Sequence, residues 1–314
     1  MFRTKVKEAF QKRNKFSIKA LLNQIKGYIG WILILGLCLC VSLILCSQVG
    51  IWTRSWLIID GYTALKDLGN MNVLSYFNGH FFNVIANLSE AQIAAVSKML
   101  MLFMTVAYGL FILTYSIAET VKAKKNGTLR LSKPSRWQII NLLGCVLFIG
   151  ILNAITEIII MLVSPLMAGA GNELEAANAL STSGGPLITI LCAGIFAPIV
   201  EELLFRKGLQ KALSYFNPVF SLVFTSISFG IMHGNILQIL FAMFMGFALG
   251  FVYEVTDNIF YPICMHIFVN VTGCIISIFK LNEYISYPVA IIVPLVLMFA
   301  IIGAKRTNML EVKQ

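Results

Sequence analysis

The strongest constraint on this chain is a series of apolar blocks long enough to cross a membrane. Eight can be delimited, at 28–50, 95–120, 137–163, 186–213, 219–234, 236–254, 259–279 and 287–303. A helix needs about 20 consecutive apolar residues to traverse the hydrocarbon layer. Of the 314 residues 58% are hydrophobic and only 12% charged, more apolar surface than one water-soluble core can hide. The expectation is therefore an all-α, polytopic transmembrane bundle of about eight spans. The first three blocks and the last are clear, whereas the middle four are short, crowded and interrupted by polar residues.

A formal net charge of +10 would suit a nucleic-acid partner if the basic residues covered one soluble face. They do not. Of the 24 Lys and Arg, eight lie before residue 27 and six between Lys122 and Arg136. Arg206, Lys207 and Lys211 follow a double glutamate, and Lys305, Arg306 and Lys313 follow the last block. With alternating spans all four clusters fall on one side, 20 of the 24. The positive-inside rule makes that side the cytoplasm and puts both termini there. Membrane lipids are the expected charged partner, and nucleic acid is not.

The run from Tyr28 to Val49 is too long for a signal-peptide core and has no small-x-small cleavage site after it, so it reads as a retained first span. All seven cysteines, Cys38, Cys40, Cys46, Cys145, Cys192, Cys264 and Cys274, sit inside apolar blocks and show no C-x-x-C pair. Four regions are expected. Residues 1–27 form a basic cytoplasmic segment, and 28–185 form N-terminal membrane helices with outer loops. Residues 186–280 form a polar-bearing core, and 281–314 a last helix with a basic tail. The outer loops are Ile51 to Ala94 and the acidic, Gly-rich stretch from Ser164 to Pro186.

The polar-bearing core holds the residues that point to chemistry. Glu201 and Glu202 are adjacent acids inside an apolar helix, each costing about 2.5 to 3.5 kcal/mol at the bilayer centre on insertion scales. Glu202 and Arg206 are four apart with the acid first, the favourable order for an ion pair on one face. Glu201 points about 100° away and is free to face other helices. The bland reading is that both acids pair with Arg206 and Lys207 at the membrane surface. Against it stand His233, and His266 with Asn270 at i, i+4 on one helix face, in a chain with only three histidines.

Depth can be tested by counting. With a turn near Phe216, the antiparallel partner of Glu201 is near residue 231, within a turn of His233. The same counting, with a turn near Asp257, leaves His266 nearer the cytoplasmic side unless a kink, a short span or a re-entrant segment around Pro262 intervenes.

A carboxylate with two imidazoles supports hydrolysis in two ways. Glu201, His233 and His266 can hold zinc with a position left for water. Alternatively, Glu201 is a general base on water while the imidazoles and the Asn270 amide stabilise the oxyanion. No H-E-x-x-H helix is present, which leaves the cofactor open between none and zinc and tilts the reading toward the metal-free form. Asn235, Gln238 and Thr225 are candidates to line a water path.

At these residues the chain resembles the CAAX prenyl protease and bacteriocin-processing family of intramembrane proteases. The family pattern E-E-x-x-x-R, F-x-x-x-H and H-x-x-x-N reads here as Glu201-Glu202 with Arg206, Phe229 with His233, and His266 with Asn270. The three motifs occur in order and are together fairly specific; the resemblance covers about residues 185 to 280. It implies Glu201 as the water-activating base, Glu202 and Arg206 in support, and His233, His266 and Asn270 around the oxyanion. Many relatives have Gly directly after the motif arginine, whereas Lys207 intervenes here before Gly208.

The resemblance implies an intramembrane endopeptidase of a bacterial cytoplasmic membrane acting on a peptide or protein substrate. Two other classes are weighed against it. A catalytically silent scaffold or bacteriocin immunity protein would keep the fold and lose motif residues, and none is lost. A secondary transporter would show two similar halves, whereas the polar residues crowd into one. Elsewhere, Ala242, Gly246 and Gly250 form a small-residue stripe suited to close helix packing. Glu157, near the outer end of its span, reads as an acid facing water or a neighbour; His80 and the sequon at Asn87 read as ordinary loop features.

Overall fold

The computed structural model describes residues 18–48, 89–127, 135–163, 166, 184–234 and 236–282, with 288, 291–292 and 295–296 beyond them. Among these residues there is no strand. The helices are α1 (Ile18–Gln48), α2 (Glu90–Lys125), α3 (Arg136–Val163), α4 (Pro186–Ser214), α5 (Pro218–Ile231), α6 (Ile236–Thr256) and α7 (Phe260–Ile278). Six of them, all but α5, are long and apolar enough to span a membrane, so the chain is an all-α, multi-pass integral membrane protein. Most of the expected block 287–303 and of the outer loops, His80, Asn87, Asn235, the side chain of Glu157 and the basic residues before 18 and after 296 fall outside the described residues.

Local signals fix the helix ends. Ser135 and Gln138 form a reciprocal capping box, with Ser135 N donating to Gln138 Oε1 at 2.7 Å and Gln138 N to Ser135 Oγ at 3.3 Å. Asn217 caps α5 by accepting from Phe220 N at 2.9 Å, and Pro218 follows it where a missing N–H costs nothing. Lys122, Lys124 and Lys125 in the last turn of α2 complement the negative end of its dipole. The α5 to α6 turn uses Gly234 at φ 71, a left-handed conformation that favours glycine.

The structure departs from the expected block limits at both ends of the bundle. Helix α1 begins ten residues before its apolar block, because the basic residues Lys19 and Lys26 continue the helix beyond the greasy stretch. Helix α5 has only 14 residues, about 21 Å of rise, and is shorter than a hydrocarbon layer of about 30 Å.

Helix α4 lies between two apolar clusters. On one side Val200 and Leu203 pack with Cys38 of α1 and with Phe111 and Tyr115 of α2. On the other, α3, α6 and α7 share a core of Val146, Ile149, Met245, Leu249, Met265 and Val269. Helix α4 is also irregular. Ile190–Phe196 and Leu203–Gln210 widen to π-helical hydrogen bonding and flank one α-helical segment, Ala197–Glu202. Such widenings concentrate at functional sites, and both acids lie in the segment between them.

Candidate active site

One peptide step separates a sheltered carboxylate from an accessible one. The Glu202 side chain is 0% exposed and that of Glu201 is 30% exposed. Glu202 Oε2 lies 3.2 Å from Arg206 Nε, an ion-pair distance without the alignment of a hydrogen bond. Its other oxygen, Oε1, is 2.9 Å from His266 Nδ1. Opposite an arginine Glu202 acts as a carboxylate, which only accepts, so Nδ1 of His266 donates. That leaves His266 Nε2 facing Glu201, 3.7 Å from Oε2, too far for a direct hydrogen bond.

Arg206 is 1% exposed and would be costly without compensation. Its Nη2 donates to the carbonyl of Gly246 at 3.2 Å, and its Cζ lies 4.5 Å from the centroid of the Phe229 ring. Nη1 has no hydrogen-bond partner. One turn along α4, Gln210 repeats the pattern by donating from Nε2 to the Gly250 carbonyl at 2.9 Å. A Cβ on Gly246 would stand 3.0 Å from Phe229 Cδ1 and 3.5 Å from Arg206 Nη2. One on Gly250 would stand 2.7 Å from Gln210 Oε1. The stripe thus gives two polar side chains of α4 access to the backbone of α6.

Phe229 is the packing hub of the site. It is 2% exposed and meets His233 at 5.1 Å and His266 at 5.7 Å between ring centroids, both edge-on. His233 Nδ1 lies 2.9 Å from the Phe229 carbonyl. A carbonyl only accepts, so Nδ1 of His233 also donates and its Nε2 is the atom left for other partners. Asn270 donates from Nδ2 to the carbonyl of Ala193 at 3.0 Å, across to the first π-helical stretch of α4. Close approach there is possible because a Cβ on Gly194 would stand 3.0 Å from Val271 Cγ2.

The depth of His266, which counting left open, is given by this geometry: its ring lies beside Glu202. Helix α7 runs unbroken past Pro262, which sits in its first turn, so no kink or re-entrant segment is involved. Counting from Phe216 chose the wrong reference level. The turn before α7 sits beside Lys211, with Lys211 Nζ 3.8 Å from Asp257 Oδ1. From Lys211 back to Glu202 and from Asp257 on to His266 are both nine residues.

The Thr225 candidate for a water path is also corrected. Thr225 is 2% exposed and its hydroxyl donates to the Ser221 carbonyl at 2.8 Å within its own helix. Gln210 gave no signal of its own in the sequence, since a glutamine near a helix end looks like surface. Tyr108 of α2, within electrostatic reach of Glu201, belongs to a helix that carries none of the motifs. Among the described residues no three His, Cys, Asp or Glu side chains are gathered closely enough to hold a metal ion. The site as arranged therefore does not fit zinc on Glu201, His233 and His266.

Residues 183–272 match the family model described as type II CAAX prenyl endopeptidase Rce1-like. Over 120 residues the chain is 32% identical to "Putative membrane peptidase YdiL" of Bacillus subtilis (strain 168), covering 38% of this chain and 49% of that protein. The chain thus spans about half the length of the relative it matches. No solved structure matches. The matched segment contains every motif residue described above, and both findings support the CAAX protease and bacteriocin-processing family.

Proposed function

We propose that this protein is an intramembrane endopeptidase in which Glu201 activates the water that attacks a peptide carbonyl, within a catalytic core at residues 186–280. The observation that carries the reading is the pairing of an accessible carboxylate with an imidazole already anchored from behind. Glu201 is part-exposed, and His266 across from it is fixed by Glu202, which is in turn opposed by Arg206. A water between Glu201 and the substrate loses a proton to Glu201 as its oxygen bonds to the carbonyl carbon. The tetrahedral oxyanion collapses, the C–N bond breaks, and Glu201 returns the proton to the leaving amine.

The oxyanion needs donors. Asn270 has two amide hydrogens and gives one to Ala193, so the other is available. His233 and His266 each spend Nδ1–H on a fixed acceptor, and each donates to the oxyanion only through a proton on Nε2. Glu202, Arg206 and Phe229 act through these residues as positioning groups. The substrate is a peptide or protein at the membrane, and prenylated CAAX proteins, leader peptides of secreted peptides and misfolded membrane proteins all fit that chemistry.

The test is cleavage of such peptides by purified wild type, Glu201→Ala and His233→Ala, with and without a chelator. Cleavage by wild type alone, indifferent to chelator, is expected. Equal cleavage by all three proteins would sink the assignment, and loss of wild-type cleavage on chelation would overturn the metal-free mechanism.

A further inference from the structure

The far side of α4 carries a second polar site. A cavity of about 370 Å³ lies between α1, α2 and α4, away from the face that bears Glu202, Arg206 and Gln210. Its charged lining is Lys122, Lys207 and Lys211 against one acid, Glu119. Lys207 Nζ lies 3.0 Å from Glu119 Oε2 and 5.0 Å from the Tyr115 ring centroid, and Lys122 Nζ lies 3.7 Å from Glu119 Oε1. Lys211 also meets the exposed Asp257, outside the cavity. The ammonium groups of the cavity therefore outnumber the carboxylate that neutralises them.

The rest of the wall is amphipathic. Trp31 packs on Tyr115 with ring centroids 4.5 Å apart, and Leu203 and Leu204 continue the apolar surface. Tyr28 lies over the bare backbone of Gly208, where a Cβ would stand 2.6 Å from its ring, and this close seat brings α1 against α4. Lys207, the residue that intervenes before Gly208 in the motif, lines the cavity beside this seat. Trp and Tyr beside lysines at one end of a helical bundle are the side chains of a membrane–water interface.

We propose that this cavity binds the phosphate of an anionic phospholipid, with the lysines on the phosphate and Trp31, Leu203 and Leu204 along the start of the acyl chains. Basic pockets between transmembrane helices suit such headgroups. Free phosphate would satisfy the lysines and leave the apolar wall uncovered, so the lipid is the better occupant. The proposal uses no residue of the peptidase site and stands whether or not the chain cleaves peptides.

The full-length protein in phosphatidylcholine nanodiscs is titrated with phosphatidylglycerol, and bound lipid is counted by native mass spectrometry. Wild type retains phosphatidylglycerol. Lys122→Gln, at a side chain 68% exposed, weakens retention by about fivefold, and Lys122→Gln with Lys207→Gln by more. Lys98→Gln, on an exposed lysine outside the cavity lining, leaves retention unchanged. Equal retention by wild type and Lys122→Gln, or an equal loss in Lys98→Gln, overturns the site. Inorganic phosphate competing as well as the lipid overturns the lipid assignment.

Discussion

At Glu201 and Glu202 one residue of sequence separates two different environments, a part-exposed carboxylate and a fully buried one. The helical angle between neighbours is enough to send Glu202 onto Arg206 and His266 and Glu201 toward open space, and that divergence was legible from spacing alone. What spacing could not supply was depth, because the level of His266 depends on where the turn at Asp257 sits against Lys211. Phe229 was visible only as a motif letter, four residues before His233. Its contact with Arg206, His233 and His266 belongs to three-dimensional packing. Truncation of Glu202 leaves Arg206 buried without a counter-charge. Glu202→Ala should therefore lower stability by about 3 to 5 kcal/mol, read as a fall in the thermal unfolding midpoint in detergent. Removal of the Asn270 side chain should lower turnover by about 10²- to 10³-fold with little change in that midpoint, as measured on any peptide the wild type cleaves.

At the scale of elements, the contact of α4 with α6 holds the site together. Arg206 and Gln210 reach carbonyls of α6 only because Gly246 and Gly250 present bare backbone. The four-residue recurrence of small residues was readable as a close-packing stripe, but not which helix fills it. The π-helical stretches either side of Ala197–Glu202 left no mark in the apolar pattern, since a widened turn shifts hydrogen bonds by one residue without changing composition. Gly250→Ala places a methyl group 2.7 Å from both Gln210 Oε1 and Leu222 Cδ1. It should cost about 1 to 3 kcal/mol through overpacking, against a helix-propensity gain of at most about 1 kcal/mol. Gly273→Ala, with nothing within 4 Å, should be neutral or slightly stabilising, and paired thermal melts of the two variants separate the effects.

The whole molecule is a membrane bundle whose polar half lies late in the chain. The apolar blocks made its class plain, and the short block at 219–234 already marked the short α5, whose end at Ile231 is set by the turn through Gly234. The lysine clusters at the ends of α2 and α4 share one cavity, so they lie at the same end of the bundle. If that end is cytoplasmic, cysteines introduced as Asn126→Cys and Phe216→Cys in a cysteine-free background are labelled from inside only, and Leu166→Cys from outside only. All three positions are exposed, so a missing label reports topology rather than burial.

The central claim is that Glu201 does chemistry while Glu202 holds structure, and one paired measurement reaches it directly. Peptide turnover and unfolding midpoint are recorded together for wild type, Glu201→Gln and Glu202→Ala. Glu201→Gln should lose about 10²- to 10⁴-fold in turnover with its midpoint unchanged, and Glu202→Ala should unfold at lower temperature. Wild-type turnover in Glu201→Gln would contradict the account.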